Sequence, residues 1–320
     1  MKITILDGYT VNPGDNPWTE LEKLGELTVY DRTDQNQIVE RSINAEIIMT
    51  NKTVITENII SSLPNLKYIV VLATGYNAVN INAATACGIT VSNIPSYSPP
   101  SVAQHVFAML LGFANQVSLH DHAVKNGEWA AQNDFCFWKT ALFELKDKKI
   151  GIVGFGDIGQ KVGIIANAFG MEVMAYAPRP KSTPDYSPFK FCSREELFRE
   201  SDVVSLHCPL TDDNKGFIDK ALISSMKSTA IIINTARGPL INEKDLAEAL
   251  TNRVIAGAAL DVVENEPMLP GNPLAGAPNL IITPHIAWAT LEARSRLSAI
   301  AVQNVTAFQN GSPINVVNNL

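Results

Sequence analysis

Hydrophobic positions fall in short β-branched runs separated by stretches of helical periodicity, and this alternation predicts an α/β chain. In the first hundred residues the runs Ile3–Leu6, Leu27–Tyr30, Glu46–Met49, Tyr68–Leu72 and Thr90–Val91 read as strands. Thr19–Leu24, Gln35–Arg41, Glu57–Ser62 and Asn80–Cys87 read as the helices between them. Strand and helix in strict turn predict a small parallel sheet. Pro95-Ser-Tyr-Ser-Pro99-Pro100 then punctuates the chain, and Ser101 is placed to cap a new helix whose apolar face is Val102, Val106, Met109, Leu110 and Phe113. A helix in that position is expected to cross between domains.

A second strand–helix series begins at Lys149. Its strands are predicted near Ile150–Val153, Glu172–Tyr176, Val203–Leu206, Ala230–Asn234, Ile255–Leu260 and Leu280–Thr283, and Ser193-Arg-Glu-Glu196 has the capping-box pattern. The series opens with Lys149-Ile-Gly-Ile-Val-Gly154-Phe-Gly156-Asp-Ile-Gly159, a buried strand running into a glycine-rich turn and a helix. In a dinucleotide-binding turn the first glycine makes the bend, the second admits a pyrophosphate and the third lets helix and strand pack closely. The helix start then offers unpaired N–H groups to the phosphates. The first domain's own opening turn, Asp7-Gly-Tyr-Thr-Val11, lacks this spacing.

The last predicted helix, about Leu291–Asn310, has no strand of its own domain left to serve. The economical topology returns it to the first domain. The expected fold is therefore α/β with two doubly wound parallel-sheet domains. A Rossmann cofactor domain, residues 99–289, is inserted into a flavodoxin-like substrate domain made of residues 1–98 and 290–320.

Composition narrows the function classes. With 46% hydrophobic and 18% charged residues the chain is ordinary for a globular protein, and a net charge of −7 argues against nucleic acid or an anionic membrane as main partner. Cys87, Cys136, Cys192 and Cys208 show no C-x-x-C spacing and read as reduced thiols. The opening residues alternate like a strand rather than a signal peptide, and no apolar run reaches spanning length, so a cytoplasmic location is expected. His105, His120 and His122 lack partners at metal spacing and read as surface or helix-packing residues; no metal is expected.

If the glycine turn holds a dinucleotide, chemistry is expected at the carboxyl ends of the second sheet's strands, between the domains. Three charged or titratable residues follow such strands: Arg237 in Thr235-Ala-Arg-Gly-Pro239, Glu266 in Asp261-Val-Val-Glu-Asn-Glu266-Pro267, and His285 in Thr283-Pro-His285. Arginine presents a planar fork to a carboxylate. Histidine can protonate a carbonyl oxygen as hydride arrives and reverse that step on oxidation. A carboxylate beside it would orient the ring and favour its charged form.

The glycine turn, Thr235-Ala-Arg-Gly-Pro-Leu240, Asp261 with Glu266-Pro267, and Thr283-Pro-His285 together resemble the D-isomer-specific 2-hydroxyacid dehydrogenase family over essentially the whole chain. Asp7-Gly-Tyr and Asp134-Phe-Cys-Phe-Trp138 resemble its glycerate dehydrogenase (hydroxypyruvate reductase) branch. The resemblance implies a catalytic trio of Arg237, Glu266 and His285, with Asp261 near the nicotinamide end of the cofactor. It implies that Thr74 and Gly75 receive the substrate carboxylate together with Arg237 and His285. Thr74, Val102, Gly154, Gly156, Asp157, Ile158, Pro209, Thr235, Ala236 and Ala287 are its cofactor-lining positions. No further regulatory domain is expected after Leu320, and a homodimer is implied, formed through the aromatic excursion Trp129, Phe135, Phe137, Trp138 and Phe143.

One position departs from the NAD pattern. The second strand of the unit runs Met171-Glu-Val-Met-Ala-Tyr176 into Ala177, where the family often has an aspartate that grips the ribose hydroxyls. Alanine does not repel a 2′-phosphate, and Arg179 or Lys181 can pair with one, so NADP(H) is expected to be accepted and somewhat preferred over NAD(H). His207 is expected to edge the adenine pocket. The expected reaction is reduction of a small 2-keto acid, hydroxypyruvate or glyoxylate, to the D-2-hydroxy acid. The alternatives are a dehydrogenase for D-lactate or D-3-phosphoglycerate and, from another class, a dinucleotide-sensing interaction protein on the same scaffold.

Overall fold

The computed structural model describes residues 1–179 and 181–319. The chain divides into two compact units, one formed by Met1–Ser98 with Trp288–Leu320 and the other by Pro99–Ala287. The first unit opens with β1 (Lys2–Ile5), α1 (Thr19–Glu22), β2 (Glu26–Val29), α2 (Ile38–Ser42), β3 (Ile47–Thr50), α3 (Glu57–Ser61), β4 (Tyr68–Val71), α4 (Ile81–Ala86) and β5 (Thr90–Ser92). Its strands pair in parallel in the order β2-β1-β3-β4-β5, the flavodoxin-like arrangement.

The second unit contains α5 (Pro99–Asn115), α6 (Val117–Lys125), β6 (Lys149–Val153), α7 (Asp157–Ala168), β7 (Glu172–Tyr176), β8 (Phe189–Phe191) and α8 (Arg194–Glu200). It continues through β9 (Val203–Leu206), α9 (Lys220–Ser224), β10 (Ile231–Asn234), α10 (Glu243–Thr251), β11 (Gly257–Leu260) and β12 (Leu280–Ile282). All seven strands are parallel, in the order β12-β11-β10-β9-β6-β7-β8. From β6 the chain builds outward to β8, then returns to lay β9 on the other side of β6. The strand order reverses between β6 and β9, and the carboxyl ends at such a switch point are where doubly wound sheets take ligands.

The last helix, α11 (Leu291–Gln309), belongs to the first unit. Alternation of side chains along each strand explains why that unit has two cores. Ile47, Met49, Tyr68 and Val70 meet Leu297, Ala301 and Val305 of α11 on one face, and Ile48, Ile69 and Val71 pack on the other. Tyr68 also stacks on Phe308 with ring centroids 4.2 Å apart. Leu297 is fully buried, so truncating it to alanine costs about 2–5 kcal/mol.

Two local readings differ from expectation. Helix α5 begins at Pro99, since proline suits a first helical turn, and Ser101 lies inside it with Oγ donating to Ala287 O at 2.6 Å rather than capping. Strand β8 was not anticipated because its three residues follow a Ser/Pro-rich run and form only a sheet edge. Ser193 does cap α8, accepting from Glu196 N at 3.1 Å. Among the described residues no single helix is long and apolar enough to cross a membrane; α5 and α6 together pass by length and composition but are bent by 55°. Most of α5's apolar residues are buried in the core.

Candidate active site

Strand β6 ends in the glycine turn, and the three glycines do different work. Gly154 has φ +96°, and a Cβ there would lie 2.7 Å from the His207 and Cys208 backbone at the end of β9. A Cβ on Gly159 would run into Gly154 O. A Cβ on Gly156 meets nothing within 4 Å, so the chain's own packing does not require a glycine there. The space it leaves lies at the start of the 12-residue helix α7, whose N-cap is Gly156 itself and carries no side-chain cap. Asp157 and Ile158 form the first turn, with Asp157 exposed and Ile158 half-buried. Open space at a helix start whose N-cap residue has no side chain suits a diphosphate.

Two buried polar atoms at neighbouring strand ends have no partner among the described residues: His207 Nδ1 after β9 and Thr235 Oγ1 after β10. Buried polar groups are ordinarily paired, so both atoms fit a site completed by a polar ligand. His207 Nε2 lies 2.8 Å from Ser205 Oγ, and burial pushes its pKa down to about 3, which keeps the ring neutral. Burial also raises the Cys208 thiol, against a backbone hydrogen bond, to about 11, which keeps it protonated at neutral pH. Pro209 follows at the surface, its carbonyl taken by Asn214 Nδ2 at 2.8 Å. Across β6, Ala177 directly follows β7, with Arg179 and Lys181 exposed beyond it. The described side chains here fit a dinucleotide.

The ends of β10, β11 and β12 stand side by side, because Asn234 pairs with Leu260 and Leu260 with Ile282. Asn234 is fully buried; its side chain accepts from Ala236 N at 2.9 Å and donates to Arg237 O at 2.8 Å, fixing the turn Thr235–Arg237. Arg237 is half-buried, and its Nη1 donates to Ala236 O at 2.7 Å. Gly238 lies against the Val263–Glu264 backbone so closely that a Cβ would collide with it. Arg237 is thereby held beside the loop that carries Glu266. That loop is anchored by Glu243, nearly buried, which accepts from Glu264 N at 2.6 Å and Asn272 Nδ2 at 2.7 Å.

His285 Nδ1 lies 2.6 Å from Glu266 Oε2, as short as the strongest charge-assisted hydrogen bonds. Glu266 Oε1 in turn accepts from Val263 N at 3.3 Å. His285 has φ +55°, a left-handed conformation costing a non-glycine residue about 1 kcal/mol or more. Asp261 compensates: its carbonyl accepts from His285 N at 2.8 Å, and its carboxylate, 1% exposed, accepts from Ile286 N and Ala287 N, both at 2.8 Å. Thr283 Oγ1 donates to the same carboxylate at 2.6 Å. One buried aspartate thus binds three successive amides of the histidine turn.

The structure brings four of the expected residues together by hydrogen bonds. Glu266, His285, Asp261 and Ala287 are joined by these bonds, and Ser101, beside buried Val102, ties α5 to Ala287. Thr74 and Gly75 belong to the other unit, where Thr74 Oγ1 donates to Ile94 O at 2.9 Å. Asn234 and Glu243 are supporting residues whose roles are absent from the sequence reading, the signal for Asn234 being a polar residue that closes the apolar run Ile231–Asn234; Gly238 and Thr283 lie inside the motifs of Arg237 and His285, where the sequence gives them no role of their own. Among the described residues no group of three or more His, Cys, Asp or Glu could hold a metal ion.

Residues 107–287 match the model of the D-isomer specific 2-hydroxyacid dehydrogenase family, NAD binding domain. A hydroxypyruvate reductase of Blautia hydrogenotrophica is 47% identical over 99% of this chain and 100% of its own length. A glycerate dehydrogenase of Methylorubrum extorquens is 40% identical over 88% of each chain. Among solved structures, an acyclic imino acid reductase in complex with NADPH and D-Arg superposes with a TM-score of 0.84 at 31% identity, covering 99% of this chain and 100% of that one. On these grounds the chain belongs to the D-isomer specific 2-hydroxyacid dehydrogenase family and is an oxidoreductase using a nicotinamide dinucleotide.

Proposed function

We propose that the protein reduces a small 2-keto acid, hydroxypyruvate or glyoxylate, to the D-2-hydroxy acid, with His285 as proton donor. The 2.6 Å contact between His285 Nδ1 and Glu266 Oε2 carries this reading. With Nδ1 committed to the carboxylate, Nε2 is the nitrogen left to hold the transferred proton, and Glu266 stabilises the imidazolium that supplies it. The nicotinamide, when bound, supplies the hydride. Arg237, oriented through Ala236 O, binds the substrate carboxylate with its planar fork and so points the single keto oxygen at His285.

Substrate choice is supported by the full-length hydroxypyruvate reductase relative. NADP(H) is proposed as the preferred cofactor: Ala177 places no carboxylate after β7, Arg179 and Lys181 stand exposed beyond it, and the imino acid reductase relative carries NADPH. A homodimer is proposed from the exposed aromatic patch, in which Phe135 is 89% and Trp138 67% accessible. The experiment is NADPH and NADH consumption with a panel of 2-keto acids. The reading predicts turnover of hydroxypyruvate or glyoxylate and a higher kcat/KM with NADPH. Tight NADPH binding without turnover of any keto acid would sink the reaction; a strong NADH preference would sink the cofactor choice.

A further inference from the structure

Helix α5 touches the histidine turn at two points one helical turn apart. Ser101 Oγ donates to Ala287 O at 2.6 Å, and His105 Nε2 lies 3.0 Å from Thr283 Oγ1. Residues four apart share a helix face, so both side chains address the same segment. Thr283 Oγ1 also bonds Asp261 Oδ1 at 2.6 Å, while His105 Nε2 is 3.6 Å from that oxygen and outside hydrogen-bond range. The side chains of His105 and Asp261 are 19% and 1% exposed, so water has little access to this cluster.

The direction of each bond follows from proton counting. An ionised carboxylate only accepts, so the single Thr283 hydroxyl proton goes to Asp261. The oxygen of Thr283 then faces His105 with a lone pair, and His105 Nε2 must carry a proton. A histidine unprotonated there would draw the hydroxyl proton toward itself and leave Asp261 Oδ1 with only Ile286 N.

We infer that His105 is a positioning residue for His285: by donating to Thr283 it directs the Thr283 hydroxyl onto Asp261, the residue that binds amides 285–287 and holds His285 in its left-handed conformation. His105 touches neither Glu266 nor His285 by any bond described above. Its effect runs through Thr283 and Asp261, over a sequence separation of 178 residues from His105 to Thr283. The bearing of this network on catalysis rests on the proposed role of His285; the network itself does not.

Two readouts separate those claims. Hydrogen exchange of cofactor-free protein is followed by mass spectrometry over the peptide containing residues 285–287, and steady-state kinetics with hydroxypyruvate and NADPH are run in parallel. His105→Ala and Thr283→Val should each speed exchange of that segment about tenfold, with the rest of the chain unchanged. Each should lower kcat about tenfold while KM stays within about twofold, because the general acid is displaced rather than the substrate released. His105→Gln, which returns an N–H donor at comparable reach, should restore both values to within about threefold of the original. The double variant should be no worse than Thr283→Val alone, since both act through one chain of bonds. Unchanged exchange in His105→Ala and Thr283→Val, effects that multiply in the double variant, or faster exchange with unaltered kcat would each overturn the inference. Failure of the unsubstituted enzyme to turn over any keto acid would instead overturn the proposed reaction, and exchange would still judge the network.

Discussion

Gly154→Ala and Gly156→Ala separate what the glycine turn does for the fold from what it does for the cofactor. At Gly154 a methyl must accept φ +96° and approach the His207–Cys208 backbone to 2.7 Å. The left-handed backbone costs about 1–2 kcal/mol and the overpacking about 1–3 kcal/mol, so Tm should fall by roughly 5–15 °C. At Gly156 the backbone is extended, with φ −87° and ψ −160°, and a Cβ has open space around it. Stability should therefore stay within about 0.5 kcal/mol. The methyl does enter the space that suits a diphosphate, and losing one or two charge-assisted hydrogen bonds should raise the Kd for NADPH about 100-fold. Thermal melts of the cofactor-free protein and fluorescence titration with NADPH measure the two effects independently. A Gly156→Ala protein that binds NADPH like the original would refute the cradle, as would one whose melting temperature collapses.

The remaining predictions concern charge and assembly. Glu266→Gln keeps the shape but removes the charge facing His285, so kcat should fall about 100-fold with KM within about threefold; an unchanged kcat contradicts the pairing. His207 is pushed from 6.5 to about 3 by burial, so the unfolded chain takes up a proton that the folded chain refuses. Its contribution to stability is complete above about pH 6.5 and declines as pH falls toward 3. His207→Gln should flatten that part of the stability–pH curve, and an unaltered slope would show the ring is not buried neutral. Phe135→Ser with Trp138→Ser should weaken self-association about 100-fold in sedimentation; an unsubstituted protein that sediments as a monomer removes the basis for this expectation.

Much of the architecture was legible because parallel strands, covered on both faces, leave continuous apolar runs such as Tyr68–Val71 and Ile231–Ile233. The glycine turn was legible because its spacing is fixed: Gly154 and Gly159 meet steric demands of the chain itself, and Gly156 leaves the open space a diphosphate needs. The final helix was placed by elimination, and its contacts with Tyr68 through Asn304 and Phe308 give the placement a physical basis. Strand β8 was illegible since a three-residue edge strand carries too little periodicity to register. Ser101 misled because a serine after two prolines looks like a cap, whereas its partner, Ala287, is 186 residues away. His105 was read as packing or surface for the same reason, with Thr283 invisible from its own neighbourhood. The left-handed backbone of His285 left no trace in sequence; the bonds from Asp261 to the amides around it offset its strain.

The central claim is that His285 gives the proton to a 2-keto acid. The direct measurement is kcat for hydroxypyruvate reduction in His285→Ala, alongside the Kd of the same protein for NADPH. Loss of the general acid should lower kcat about 1,000-fold or more while cofactor affinity stays within about threefold. Turnover within a few-fold of the unsubstituted enzyme would contradict the account and require another group as the proton donor.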